Sequence, residues 1–296
     1  MKTFVGVTAL WAFLPTVTLA ATFTAVGVSG YNAAGIVPST AVPPYSGTAQ
    51  SLDASNDALF QFGLPATTAG GLPVSGVLTY VNGATTYTFG LGPYGGSNLL
   101  QIPANSSGLF TLATAASYPG IAILGFTTGN NAPGSLEMKG DVTLNFTDGS
   151  SSTYSKAVDL SDWFAAMPQN LNVVNSATGG LVNITAGTAA GAFEATSGGP
   201  NFYVSVVTLT VGDAAKTLKS VGFGNFPFGG TGTQFIMAIS GLTPASPTPT
   251  PTPTPTPLGP TPTPVSLAAP ALSEGRFVVL GLLLIGAAIV ALRRMS

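Results

Sequence analysis

The sequence predicts an all-β fold, mostly antiparallel, followed by a Pro-Thr stalk and one C-terminal transmembrane helix. Between residues 21 and 241 the apolar runs are short, rich in β-branched and aromatic residues, and bounded by Gly, Asn and Asp. Nothing in that region sustains a 3.6-residue period over three turns. Composition then changes twice, to alternating Pro and Thr from residue 244 and to an unbroken apolar run from residue 277.

The strand signals come in order. Residues 76–89 read as a hairpin around Asn82-Gly83, a pair suited to the positive φ angles of a type I′ turn. Residues 141–160 read as a second hairpin. There Val142, Leu144 and Phe146 alternate inward and Asp148-Gly149 turns the chain. Residues 202–211 (FYVSVVTLTV) form the strongest single strand signal, and residues 235–239 a short late one. The helix-like candidate is a brief stretch at residues 160–166.

Both ends carry addresses. Residues 1–20 have the parts of a secretory signal peptide: Lys2, an apolar stretch over residues 4–14, and small residues Thr18 and Ala20 before a cleavage point at Ala21. At the other end residues 277–292 are apolar all round, as a membrane helix is and a half-exposed one is not. A helix of that length spans about 24 Å, and Arg276, Arg293 and Arg294 at its ends can snorkel to make up the span. The arginine pair after the helix predicts a cytoplasmic C-terminus, with the rest of the chain exported. Residues 244–265 between domain and anchor read as a polyproline II stalk, since each Pro fixes φ and removes a donor. Twenty-odd such residues reach about 65 Å.

Composition excludes several functions. The chain has no Cys and no His, so disulfides, thiol or imidazole catalysis and His or Cys metal sites are absent. Residues 21–241 carry nine acids against four lysines, which leaves no basic patch for nucleic acid. No cofactor is expected.

Two stretches resemble known families. Residues 98–103 and 118–124 fit a buried strand followed by a core strand. Thr147-Asp148-Gly149-Ser150 leading to Leu160-Ser161-Asp162-Trp163 fits a T-D-G-[ST]…L-S-D-W signature. Residues 215–221 with 236–239 fit a closing strand and a final edge strand, and Tyr31 to Gly35-Ile36 an opening Tyr-x-x-x-Gly-Ile. Together they resemble secreted bacterial jelly-roll domains of the galactose-binding-like fold, which implies an antiparallel jelly-roll β-sandwich over residues 21–243, a binding or spacing module without catalysis. Pro270, Leu272, Ser273 and Glu274, then the apolar helix, then Arg293 and Arg294 resemble a PEP-CTERM-like sorting signal of Gram-negative bacteria. It is a Pro-x-Leu-Ser-Glu variant without Pro-Glu-Pro, spanning residues 266–296. That resemblance implies an exosortase-type processing enzyme as a partner beside the export machinery.

Candidate chemistry is sparse. Asp159 and Asp162 are spaced for a turn more than for paired carboxylates facing each other across a glycosidic bond. Ser161 has no His to activate it. Trp163, Phe164, Tyr203, Tyr154 and Tyr94 offer a stacking platform for sugar rings, with Asp162 beside it; core packing is the weightier reading of the aromatics. Asp53 and Asp57 carry oxygens suited to Ca²⁺, but their loop lacks the Gly and closing Glu of an EF-hand, and a solvated polar loop is favoured. The metal question stays open at this level. The expectation is a non-enzymatic envelope protein with a structural or matrix role, exported and membrane-anchored. The alternative is a carbohydrate-binding module for extracellular polysaccharide, using aromatics near Trp163.

Overall fold

The computed structural model describes residues 20–65, 67, 70–129, 138–164, 170–171, 180–189, 200–224, 226 and 232–243. The segments predicted as signal peptide (up to residue 19), stalk, sorting motif and membrane helix (residues 277–292) lie outside them. The chain divides into two units, Met1–Ser246 and Pro247–Ser296; the first holds every described residue. No helix among the described residues is long and apolar enough to cross a membrane.

The described chain runs through β1 (Ala21–Val26), β2 (Val28–Ser29), β3 (Ile36–Val37), β4 (Asp57–Phe60), β5 (Val77–Asn82) and β6 (Thr85–Gly90). It continues through β7 (Leu100–Pro103), β8 (Gly108–Ala116), β9 (Gly120–Thr128), β10 (Met138–Phe146) and β11 (Ser151–Leu160). After β12 (Asn170–Leu171), β13 (Val182–Asn183), β14 (Thr188–Ala189) and β15 (Phe202–Thr208) comes one helical turn, α1 (Val211–Ala214). β16 (Leu218–Gly224) and β17 (Thr233–Thr243) complete it. The fold is all-β, with curled sheets.

The largest sheet has the order β12-β15-β9-β17-β1-β6-β5, with β7 added on β17; a second runs β11-β10-β16-β8-β2, and a small third β14-β13-β4-β3. Pairing is antiparallel except for β1 with β6 and β3 with β4. Inward residues of the second sheet (Phe110, Val142, Leu144, Val221) share one buried cluster with Ile123, Phe126 and Phe235 of the first. A smaller cluster around Val37, Tyr45, Phe60 and Val182 sits at the third sheet.

Both hairpins form, with one change of turn. Asn82 pairs with Thr85, so the turn residues are Gly83 and Ala84, one step later than Asn82-Gly83. Gly83 has φ +58° and Ala84 has no positive φ, which is the pattern of a type II′ turn, with Gly first, instead of type I′. In the β10–β11 hairpin Gly149 has φ +84°, and Asp148 Oδ1 accepts from the Ser150 backbone N–H at 2.9 Å.

Other expectations are corrected. β15 stops at Thr208, because Thr210 caps α1, its hydroxyl accepting from the Asp213 backbone N–H at 3.2 Å. The late strand is eleven residues long and is no edge: β17 lies between β9 on one side and β7 then β1 on the other. Its register shifts between Ile236 and Ala238, and the Tyr31 hydroxyl donates to the intervening Met237 carbonyl at 3.3 Å. β9 and most of β17 are buried at consecutive positions, so neither shows the alternation of a half-exposed strand. Residues 161–164 form a bridge and a turn, not a helix.

Candidate functional site

The side chains that line the groove described here come from four strands. The parallel register of β1 and β6 sets Phe23 beside Tyr87, and the β5–β6 hairpin sets Tyr80 opposite Tyr87. Their rings form a ladder: Phe23 to Tyr87 at 4.9 Å and Tyr87 to Tyr80 at 5.8 Å between centroids, tilted by only 21° and 22°. Phe89 lies parallel to Tyr87 at 6.5 Å. Phe23 and Phe89 are buried, whereas Tyr87 and Tyr80 are half-buried. The ladder therefore starts in the core and surfaces at the hairpin. Cross-strand aromatic pairs of this kind stabilise the sheet and hold the rings in place.

Facing the two tyrosines are Val204, Ser205 and Val206 of β15 and Ala157 and Asp159 of β11, with Asn82 at the hairpin end; the groove between them encloses about 270 Å³. Its far wall is fastened by one hydroxyl. Ser205 Oγ donates to the Asp159 carbonyl and accepts from the Asp159 N–H, each at 2.8 Å. The Asp159 carboxylate lies 3.6 Å from Lys139 Nζ, both side chains more than a third exposed. Burial pushes the Tyr87 phenol up, the neighbouring Tyr80 adds to this, and the Thr85 side chain opposes it. Tyr87 thus stays a neutral hydroxyl, a donor and acceptor at ordinary pH.

The predicted sugar platform is not a platform. Trp163 is 1% exposed and Tyr203 2%. The indole stacks on Phe126 at 5.2 Å and 6°, and the Tyr203 hydroxyl donates to the Asp162 carbonyl at 2.8 Å. Leu160-Ser161-Asp162-Trp163 works as a fastening. Thr127 of β9 donates to the Ser161 carbonyl at 2.9 Å, the Trp163 N–H donates back to Thr127 at 3.0 Å, and Asp162 Oδ1 accepts from the Phe164 N–H at 3.1 Å. Tyr154 serves another contact, donating to Asp213 Oδ2 at 2.8 Å and accepting from the Thr210 N–H at 3.0 Å. Tyr94 donates to the Pro73 carbonyl at 2.7 Å, and burial pushes its phenol up to about 12. Trp163 and Tyr203 thus pack in the core and present no ring face at the surface.

Asp53 caps a turn: its Oδ1 accepts from the Ser55 and Asp57 N–H groups at 2.9 and 3.1 Å. Asp57, at the start of β4, is buried, whereas Ala54, Ser55 and Asn56 between the two aspartates are exposed, so the loop is a solvated turn pinned at its ends. Among the described residues no three His, Cys, Asp or Glu side chains group to hold a metal ion. The groove residues Tyr80, Tyr87 and Ser205 carried no site signal in the sequence. Tyr80 and Tyr87 stood only as alternating hairpin residues, and the wall they face comes from β11 and β15, far along the chain.

No family model, no curated protein and no solved structure matches the chain.

Proposed function

We propose that the protein is an exported, non-enzymatic component of the cell envelope. A jelly-roll β-sandwich is presented on the Pro-Thr stalk and held at the membrane by the C-terminal helix, in a structural or matrix role. The observation that carries this reading is where the folded domain begins and ends. β1 starts at Ala21, the residue after the predicted cleavage point, and β17 ends at Thr243, the residue before the stalk composition sets in. The division of the chain after Ser246 supports the same boundary. The shared cluster of the two large sheets supports a sandwich; the interior position of β17 is a departure from the jelly-roll pattern that the sequence resembles. The lack of His and Cys favours a module without catalysis. Processing at the Pro-x-Leu-Ser-Glu motif by an exosortase-type enzyme belongs to the same proposal.

The chain has no native Cys, which makes the test clean. Val81 is 62% exposed, and a Val81→Cys variant should react with a membrane-impermeant maleimide in cells whose inner membrane is intact. Labelling only after the inner membrane is lysed would contradict export.

A further inference from the structure

We propose that β5 pairs with β5 of a second copy of this chain, strand edge to strand edge, antiparallel about a two-fold axis at Thr79. This goes beyond the scaffold reading and does not depend on it, since the edge belongs to the folded domain wherever that domain resides. β5 ends the largest sheet, with β6 on its inner flank. Its register with β6 runs from Val77–Gly90 to Asn82–Thr85 without a shift. The hairpin fixes which backbone groups are left over. Asn82 and Thr85 flank a two-residue turn and so form a hydrogen-bonded pair, and in an antiparallel ladder such pairs recur at every second residue. Tyr80 and Leu78 therefore bond to β6, as Gly76 does in accepting from the Leu91 N–H at 2.8 Å. Val77, Thr79 and Val81 turn their N–H and C=O groups to the open edge, where the Val77 N–H meets the Ser75 hydroxyl at 3.3 Å.

Two features of this edge select a copy of itself. The first is parity. A two-fold axis through Thr79 sets Thr79 against the partner's Thr79 and Val77 against the partner's Val81, so that each of these pairs exchanges two hydrogen bonds through its outward groups. Val77, Thr79 and Val81 are all exposed, and the register covers the two valines with each other as β-branched cross-strand pairs. The second is charge. Residues 58–136 hold no charged side chain, so like edges meet without repulsion. β5 also lacks the Lys, Pro or bulge that usually guards an open edge. Other outer strands carry such guards. Among the described residues β2, β3, β12 and β14 are two residues long. β11 has Lys156 at φ +54°, at the register shift of its pairing with β10. β7 ends on Pro103, and Asn32 occupies its edge, accepting from the Gln101 N–H at 2.7 Å and donating to the Gln101 carbonyl at 3.0 Å. A ladder over residues 77–81 falls short of the area that holds a stable dimer in dilute solution, so the contact is transient.

The test is disulfide cross-linking of the full chain in the cells that produce it, with a membrane-permeant oxidant. Facing residues of a hydrogen-bonded pair stand about 5.5 Å apart at Cα, within disulfide reach. Thr79→Cys should therefore cross-link to a second copy, at least tenfold above Val42→Cys, an exposed residue outside the strand. Val77→Cys alone and Val81→Cys alone should stay at the Val42→Cys level, because each lies about 14 Å from its own equivalent. Produced together, the two should cross-link to each other. Val77→Lys with Val81→Lys, both at exposed positions, should lower the Thr79→Cys cross-link at least tenfold. Thr79→Cys no better than Val42→Cys, or single variants at Val77 or Val81 as strong as Thr79→Cys, would overturn the proposal. So would a Thr79→Cys cross-link to a different protein in place of a second copy, or one indifferent to the two lysines. The Val81→Cys labelling stands or falls separately.

Discussion

Thr22 lies directly opposite Thr243 in the antiparallel ladder of β1 and β17, and the Thr24 and Thr243 hydroxyls stand 3.4 Å apart. The first strand of the domain and its last strand therefore begin and end side by side. β1 is also paired on its other flank by β6, so it is an interior strand that contributes ladder hydrogen bonds on both sides from its first residues. Mass spectrometry of envelope material should find Ala21 as the first residue. Protein that retains Met1 there would contradict the cleavage.

Two glycines separate backbone strain from packing. A Cβ at Gly149 would meet nothing within 4 Å, but its φ is +84°. Gly149→Val should therefore cost about 1–2 kcal/mol through conformation alone. Gly140 carries no such φ, yet a Cβ there would run into the Phe226 ring. Gly140→Ala should cost about 1–3 kcal/mol by overpacking, and Phe226→Leu in the same chain should recover part of it. Denaturant melts read both, and a melt unchanged by Gly149→Val would mean that the turn is held differently.

Acid should loosen the contact between β11 and α1. Burial alone would raise the Asp213 carboxyl, but hydrogen bonds from Tyr154 at 2.8 Å, Ser152 at 2.9 Å and Lys216 at 3.2 Å outweigh it and hold the group below its ordinary 3.8. A depressed carboxyl contributes stability that is present above the unfolded value and lost as pH falls through the folded one. Asp213→Asn should lower the melting temperature by a few degrees near neutral pH, and the gap from the wild type should close below about pH 4. A gap that persists unchanged into acid would place its origin in packing and not in the charge.

Trp163→Ala should destabilise the domain by about 3–5 kcal/mol, the cost of emptying a buried aromatic site. Trp163→Phe, which keeps a ring against Phe126, should cost less. Urea denaturation of the two variants measures the difference, and a Trp163→Ala protein as stable as the wild type would contradict the burial.

What the sequence made legible was local. Asn82-Gly83 and Asp148-Gly149 mark hairpins because a turn and its flanking strands are neighbours in the chain. Even there the choice between Asn82-Gly83 and Gly83-Ala84 depended on the register, which the dipeptide does not set. The length of β17 was hidden because strands paired and covered on both sides lose their alternation. The tyrosine ladder was hidden for a different reason: Phe23 meets Tyr87 through a parallel pairing of strands some sixty residues apart, and Val204 to Val206 arrive from much later still. Trp163 was visible as a residue, but its burial depended on Phe126, which stacks on it and which no local pattern connects to it.

The central claim is that an exported domain is tethered by its C-terminal helix, and deleting residues 276–296 tests it most directly. After residue 20, no run in the sequence other than residues 277–292 stays apolar over sixteen consecutive residues. Fractionation with blotting against the domain should find the truncated protein in the soluble extracytoplasmic fraction or the medium, and the full chain with membranes. A Leu283→Arg variant should follow the truncated protein, because a charge at the helix centre costs about 2.5–3.5 kcal/mol on insertion. Truncated protein that still pellets with membranes would contradict the account.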